Sequence, residues 1–240
     1  MKTLISKVLS AFITIYYSIF ALYLSVIVKD DKKFYSMVRR WAKKVLKTSN
    51  VELIVSGNKP TQNKETFVYV TNHSSMYDIP VVYAAIDSDL RIIYKEELEK
   101  VPIFGYAMKK SPLIAINRSN PRDSMASMQK AIESIKRNVS VVVFPEGTRN
   151  PSRSEIGNFK RGGFMLASRS GKKIVPAAIT GSSDVQKWKP SGDKKYKIWI
   201  DFLEPVLINK SASKADENAI MHQVRDDILN QVQKRLSEMK

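Results

Sequence analysis

The chain contains no cysteine and only two histidines, His73 and His222, in 240 residues. The first absence rules out disulfides and thiol nucleophiles, and it fits a cytosolic-side environment. The second leaves any zinc or iron centre to be built mostly from carboxylates, so no metal is expected. The Gly-x-x-x-x-Gly-Lys-Ser/Thr spacing of a phosphate-binding P-loop is also missing. There is no internal repeat. Neither interleaved aromatics nor a groove-reading motif marks a nucleic-acid binder. Negative charge is in short supply: 40 Lys and Arg face 23 Asp and Glu, a net of +17. Such an excess predicts an anionic partner, whether a lipid surface or a phosphorylated or acidic substrate.

What remains suffices for one substantial domain with a real core. Hydrophobic content of 43% and charged content of 26% argue against disorder. The basic excess is uneven, since residues 1–47 hold ten Lys and Arg against Asp30 and Asp31. Val8 to Val28 is a 21-residue stretch without a charge, flanked by Lys2, Lys7 and Lys29. Its length permits a membrane span, while its serines, threonine and tyrosines equally suit a shallow helix. A buried helix of a soluble core is the third option. No small-residue cleavage site follows, which disfavours a cleaved signal peptide. From Phe34 to Leu46, Phe34, Val38, Trp41, Ala42 and Val45 recur at helical spacing between Arg39, Arg40, Lys43, Lys44 and Lys47. This is an amphipathic basic helix suited to an anionic headgroup layer. Residues 1–47 are therefore expected to form a helical membrane-association module, with the α/β domain over 48–240.

Beyond residue 48, short β-rich runs alternate with helical ones. The runs 51–56, 67–71, 91–94, 113–116, 139–144, 174–180 and 196–203 read as strands. Those at 79–86, 123–137, 162–170 and 216–239 read as helices. The alternation predicts an α/β fold with a mostly parallel or mixed central sheet flanked by helices.

Between the strand ending at Thr71 and the helix near Ile79 lies Asn72-His73-Ser74-Ser75-Met76-Tyr77-Asp78. A histidine backed by a carboxylate is the base half of a Ser-His-Asp constellation, and a bound alcohol can replace the serine. Residues five apart on a regular helix point roughly 140° from each other. A turn at Ser74-Ser75 is therefore required to bring His73 and Asp78 together. The plainer alternative is that Asn72 or Ser74 caps the helix and His73 is incidental.

Three further strand ends carry polar groups. Phe144-Pro145 is followed by Glu146, Gly147, Thr148 and Arg149, where carboxyl ends of strands line a ligand crevice. Asn117 and Arg118 follow Ile116, and the guanidinium of Arg118 suits a phosphate. Lys160 and Arg161 precede the helix that starts at Gly162, where anions are favoured. One histidine-carboxylate pair among cationic strand ends suggests a phosphate-bearing alcohol as substrate.

These blocks resemble the glycerolipid acyltransferases. Asn72 to Asp78 looks like their His-x-x-x-x-Asp motif, and Phe144 to Arg149 is similar to their second hallmark. Lys95 to Leu98, Pro102, Phe104-Gly105, Ile116 to Arg118 and Ile174 to Ile179 resemble the remaining blocks, in the family's order. The resemblance is strongest to the 1-acylglycerol-3-phosphate (lysophosphatidic acid) acyltransferases, which make phosphatidic acid. It implies His73 as catalytic base and Asp78 as its orienting carboxylate. It implies that Glu146, Gly147, Arg149, Arg118, Lys160 and Asn117 bind substrate. No cofactor follows from it. It implies acyl-CoA or an acyl carrier protein thioester as co-substrate, and the cytoplasmic face of an anionic inner or plasma membrane as the setting. Two alternatives stay open: an acyltransferase for another lysolipid, and a non-enzymatic basic membrane-binding protein.

Overall fold

The computed structural model describes residues 2–58, 65–117, 121–187 and 195–239. The lysine-rich loop at 190–195 and the loop at 58–65 lie largely outside them. Helix α1 (Lys2–Tyr23) runs into a π-helical turn, Leu24–Val28. Lys29 takes a left-handed φ of 53°, which ends the helix, and the Asp30 carboxylate caps helix α2 (Asp31–Thr48) by accepting from Lys33 N at 3.0 Å. The two helices form a hairpin. Trp41 Nε1 donates to Thr14 Oγ1 at 3.2 Å across it.

Among the described residues seven strands follow: β1 (Val51–Gly57), β2 (Val68–Thr71), β3 (Leu90–Lys95), β4 (Ile114–Ile116), β5 (Ser140–Val143), β6 (Ile174–Thr180) and β7 (Tyr196–Phe202). They make one sheet in the order β1-β7-β6-β2-β5-β3-β4. Only the β6–β7 pairing is antiparallel, so the sheet is mixed, as the alternating pattern predicts. All four residues of β2 are buried. Tyr69 faces a core shared with α2 and α3 (Asp78–Ala85), while Val68 and Val70 face a second core beneath α5 (Pro121–Lys136), α6 (Gly162–Ser170) and α8 (Lys214–Glu238). A strand covered on both faces reads as a continuous apolar run, which is why these strands are visible in the sequence.

Helix α2 departs from its expected role. Its apolar stripe, Phe34, Met37, Val38, Ala42 and Leu46, is buried in the first core, and Val45 is buried as well, rather than presented to lipid. Its basic face alone is outward. The chain therefore changes element type near residue 48 without a break in packing.

Candidate active site

The sheet's geometry gathers the site. β2, β5 and β6 are parallel neighbours, so their carboxyl ends share one edge. Asn72 emerges from β2 and is buried. Its amide donates to Ile179 O at 2.9 Å and its oxygen accepts from Ile179 N at 2.8 Å. Asn72 is thus a clamp to β6 rather than a helix cap, and α3 has no side-chain cap at all.

The next six residues form the turn that the spacing demands. Helix α3 begins at Asp78, whose N–H reaches back to Ser75 O at 3.3 Å. His73 Nδ1 lies 2.7 Å from Asp78 Oδ2. The same oxygen accepts from Ser74 N and Ser75 N, each at 2.8 Å. Asp78 is fully buried, whereas His73 keeps 16% of its side chain exposed. Three donors on one carboxylate oxygen hold the imidazole in place and leave Nε2 as the second ring nitrogen. The two serines are engaged elsewhere: Ser74 Oγ with Ser182 Oγ at 2.8 Å, and Ser75 Oγ with Tyr77 N at 3.2 Å. The Phe144 ring lies against the imidazole, centroids 4.3 Å apart and planes tilted by 32°.

Glu146 follows β5 and is buried. One oxygen accepts from His73 N at 2.6 Å, the other from Gly157 N at 2.7 Å. Burial raises its carboxyl above the ordinary glutamate value, although both backbone donors pull the other way. His73 O in turn accepts from Asn150 N at 2.8 Å. The backbone of His73 is therefore held on one side by Glu146 of the second hallmark and on the other by Asn150, the residue that follows the hallmark. Gly147 takes a φ of 76°, a left-handed turn that suits glycine. Arg149 and Lys160 are exposed, and Lys160 N donates to Pro145 O at 2.9 Å, tying it to the same turn. Asn117 is half-buried at the end of β4. Arg118 lies outside the described residues. His222 is exposed on α8, far along the chain from these groups. Among the described residues no cluster of three metal-ligating side chains exists.

A family model for acyltransferases matches residues 52–180 of this chain. The chain belongs to the acyltransferase family. The match encloses both hallmark turns and β6, and leaves α1, α2, β7 and α8 outside it. Among its relatives is a probable 1-acyl-sn-glycerol-3-phosphate acyltransferase of Mycoplasma pneumoniae, 30% identical over 208 residues, which cover 80% of this chain and 76% of that one. The chloroplastic enzyme LPAT1 of Arabidopsis thaliana is 29% identical over 63% of this chain and 44% of its own length. A 1-acyl-sn-glycerol-3-phosphate acyltransferase of Helicobacter pylori is 30% identical over 56% of this chain and 57% of its own. The chain thus spans about half the length of several curated relatives it matches. The crystal structure of the acyltransferase PlsC from Thermotoga maritima shares the fold, with a TM-score of 0.75 over 97% of this chain and 94% of that one at 23% identity.

Sequence reasoning missed several supports that this acyltransferase fold supplies. Gly157 N and the Asn72 clamp carry no spacing signal, because their partners are 11 and 107 residues away. Tyr77 OH lies 3.0 Å from Ser49 Oγ, itself 3.4 Å from Ser10 Oγ. This links the first hallmark to both N-terminal helices. A tyrosine inside a polar turn is the one feature that hinted at it.

Proposed function

We propose that this chain transfers an acyl group from an acyl thioester to the 2-hydroxyl of 1-acylglycerol-3-phosphate, forming phosphatidic acid. The reading rests above all on the 2.7 Å pair of His73 Nδ1 and Asp78 Oδ2. Asp78 holds the Nδ1–H tautomer, and Nε2 accepts the proton of the bound hydroxyl. The oxygen attacks the thioester carbonyl, the tetrahedral intermediate collapses, and the imidazolium returns its proton to the departing thiolate. The engagement of Ser74 and Ser75 with other partners favours a substrate hydroxyl over an enzyme serine as nucleophile. Glu146 acts by positioning the His73 backbone and the 157 loop. Arg149, Lys160, Arg118 and Asn117 hold the acceptor phosphate.

The lipid substrates place the protein at a membrane. Val8–Val28, in α1 and its π-helical turn, is the one helical stretch among the described residues long and apolar enough to cross a bilayer. Its packing favours a helix lying in one leaflet: Tyr17, Phe20 and Ala21 pack on the domain core while Phe12, Tyr16 and Ile19 are exposed. The basic face of α2 would meet anionic headgroups on the cytoplasmic side of the inner or plasma membrane. The donor is acyl-CoA or an acyl carrier protein thioester, either of which suits the positive net charge.

Acceptor kinetics test the assignment. Turnover should require the phosphomonoester, with lysophosphatidate used and monoacylglycerol refused. Arg149→Ala should raise the acceptor KM with little change in kcat. Equal use of both acceptors, or an unchanged KM, would refute the phosphate pocket.

A further inference from the structure

Outside α1 and its π-helical turn, eight large apolar side chains are exposed among the described residues. Five of them, Met76, Leu98, Val101, Ile103 and Tyr106, follow the carboxyl ends of β2 and β3. Singly scattered exposed apolar residues are ordinary, but a cluster points to a binding surface. β2 pairs with β5, and β5 with β3, all in parallel. The carboxyl end of β3 is therefore on the same edge as His73, two strand spacings or about 10 Å away.

The segment after β3 is built, not slack. A 3-10 turn, Glu96–Lys100, leads into helix α4 (Phe104–Lys110). A Cβ added at Gly105 would lie 2.4 Å from Glu99 O and 2.5 Å from Leu98 O, so the turn closes tightly on itself. Ile103 takes a φ of 61°, a left-handed conformation that a β-branched residue adopts only under strain. Its side chain is 49% exposed, so core packing does not offset that strain. Tyr106 projects from α4 at 53% exposure, and α4 packs against α1. The patch therefore lies on an element that packs directly against α1. Two of the three carboxylates on this turn are paired, Glu97 with Lys95 at 3.1 Å and Glu99 with Lys109 at 3.6 Å, while Glu96 is exposed among Lys95, Lys100, Lys109 and Lys110. The Lys110 ammonium sits 5.7 Å from the Tyr106 ring, and Lys100 flanks the turn. Apolar tips rimmed by lysines on long aliphatic stems suit the boundary of an anionic bilayer.

We propose that Leu98, Val101, Ile103 and Tyr106 form a second membrane contact, contiguous with α1, that seats the carboxyl edge of the sheet on an anionic lipid surface. It rests on the reading of α1 as a helix lying in lipid. With both contacts engaged, a lysolipid passes sideways from the leaflet to His73 without crossing water.

The absence of cysteine allows single-site labelling. Val101→Cys, Tyr106→Cys, Ile19→Cys and Leu207→Cys each carry an environment-sensitive nitrobenzoxadiazole label on the full chain. Leu207 is exposed beside Val206, which bridges Ile174 at the opposite edge of the sheet. On adding phosphatidylglycerol vesicles, labels at 101, 106 and 19 should shift to the blue and be quenched by lipids spin-labelled in their acyl chains. The label at 207 should not. As a second measure, Val101→Ser with Tyr106→Ser should weaken vesicle partitioning by about tenfold with an unchanged Tm. Labels at 101 and 106 that stay aqueous while 19 shifts would overturn the patch and leave α1 standing. If 19 also stays aqueous, both readings fall. A shift at 101 and 106 produced by an acyl carrier protein, or by raising protein concentration without vesicles, would give the surface to a protein partner and overturn the proposal.

Discussion

Asp78→Asn is the sharpest probe of the acid-base arrangement, because the backbone dictates how the amide must sit. Asp78 Oδ2 accepts from His73 Nδ1, Ser74 N and Ser75 N, whereas the buried Oδ1 has no partner. Two fixed backbone donors admit only an acceptor at the first position, so the asparagine oxygen takes the Oδ2 place and its NH2 the Oδ1 place. The His73 tautomer is then preserved. What disappears is the negative charge that, in the proposed mechanism, faces the imidazolium formed on proton transfer. A hydrogen bond to a charged group is worth about 1.5–3 kcal/mol. That corresponds to a fall of roughly 10- to 150-fold in kcat. Where a carboxylate-to-amide change instead reverses the tautomer, the loss in a serine protease is about 10⁴-fold. Asp78→Ala, which strands Ser74 N and Ser75 N and frees the ring, should lose at least as much as that. The assay is the initial rate of phosphatidate formation with both substrates saturating, alongside thermal unfolding. Asparagine and alanine variants that are equally inactive yet folded would refute the backbone-dictated orientation. A near-wild-type asparagine variant would refute the charge.

Burial raises the Glu146 carboxyl, so folding favours its protonated form; its contribution to stability is full below the ordinary 4.5 and is lost as pH rises through the higher folded value. Glu146→Gln should flatten that part of the Tm–pH curve and, by opposing an amide N–H to one of two backbone donors, lower kcat. Buried Asp201 on β7 is paired by Arg235 of α8 at 2.5 and 3.2 Å. Arg235→Ala should therefore cost about 3–5 kcal/mol in urea unfolding, with KM for both substrates unchanged.

The residues explain which parts of the structure could be read in advance. β5 ends at Val143, just ahead of Phe144-Pro145, where proline stops a strand, whereas α5 starts at Pro121, two residues before the start at 123 read from the sequence. The strands were legible because two covered faces demand unbroken apolar runs. The antiparallel entry of β7 between β1 and β6 was not, since strand order is set by packing of residues far apart in the chain. Helix α4 and α7 (Ser182–Lys187) span seven and six residues, too short to show a helical period. Helix α2 was read as facing lipid because an apolar stripe has the same spacing whether it meets a core or a membrane. At the site, the His73–Asp78 contact follows from spacing plus a required turn. The Asn72–Ile179 and Glu146–Gly157 bonds that fix it depend on tertiary neighbours alone.

The most direct measurement follows lysophosphatidate, offered with an acyl-CoA or an acyl carrier protein thioester, to product in wild type and His73→Ala. Wild type should form phosphatidate with one thiol released per product, from at least one donor. His73→Ala should form none above the uncatalysed rate while keeping its Tm and vesicle binding. Turnover retained by a folded His73→Ala protein would contradict the account.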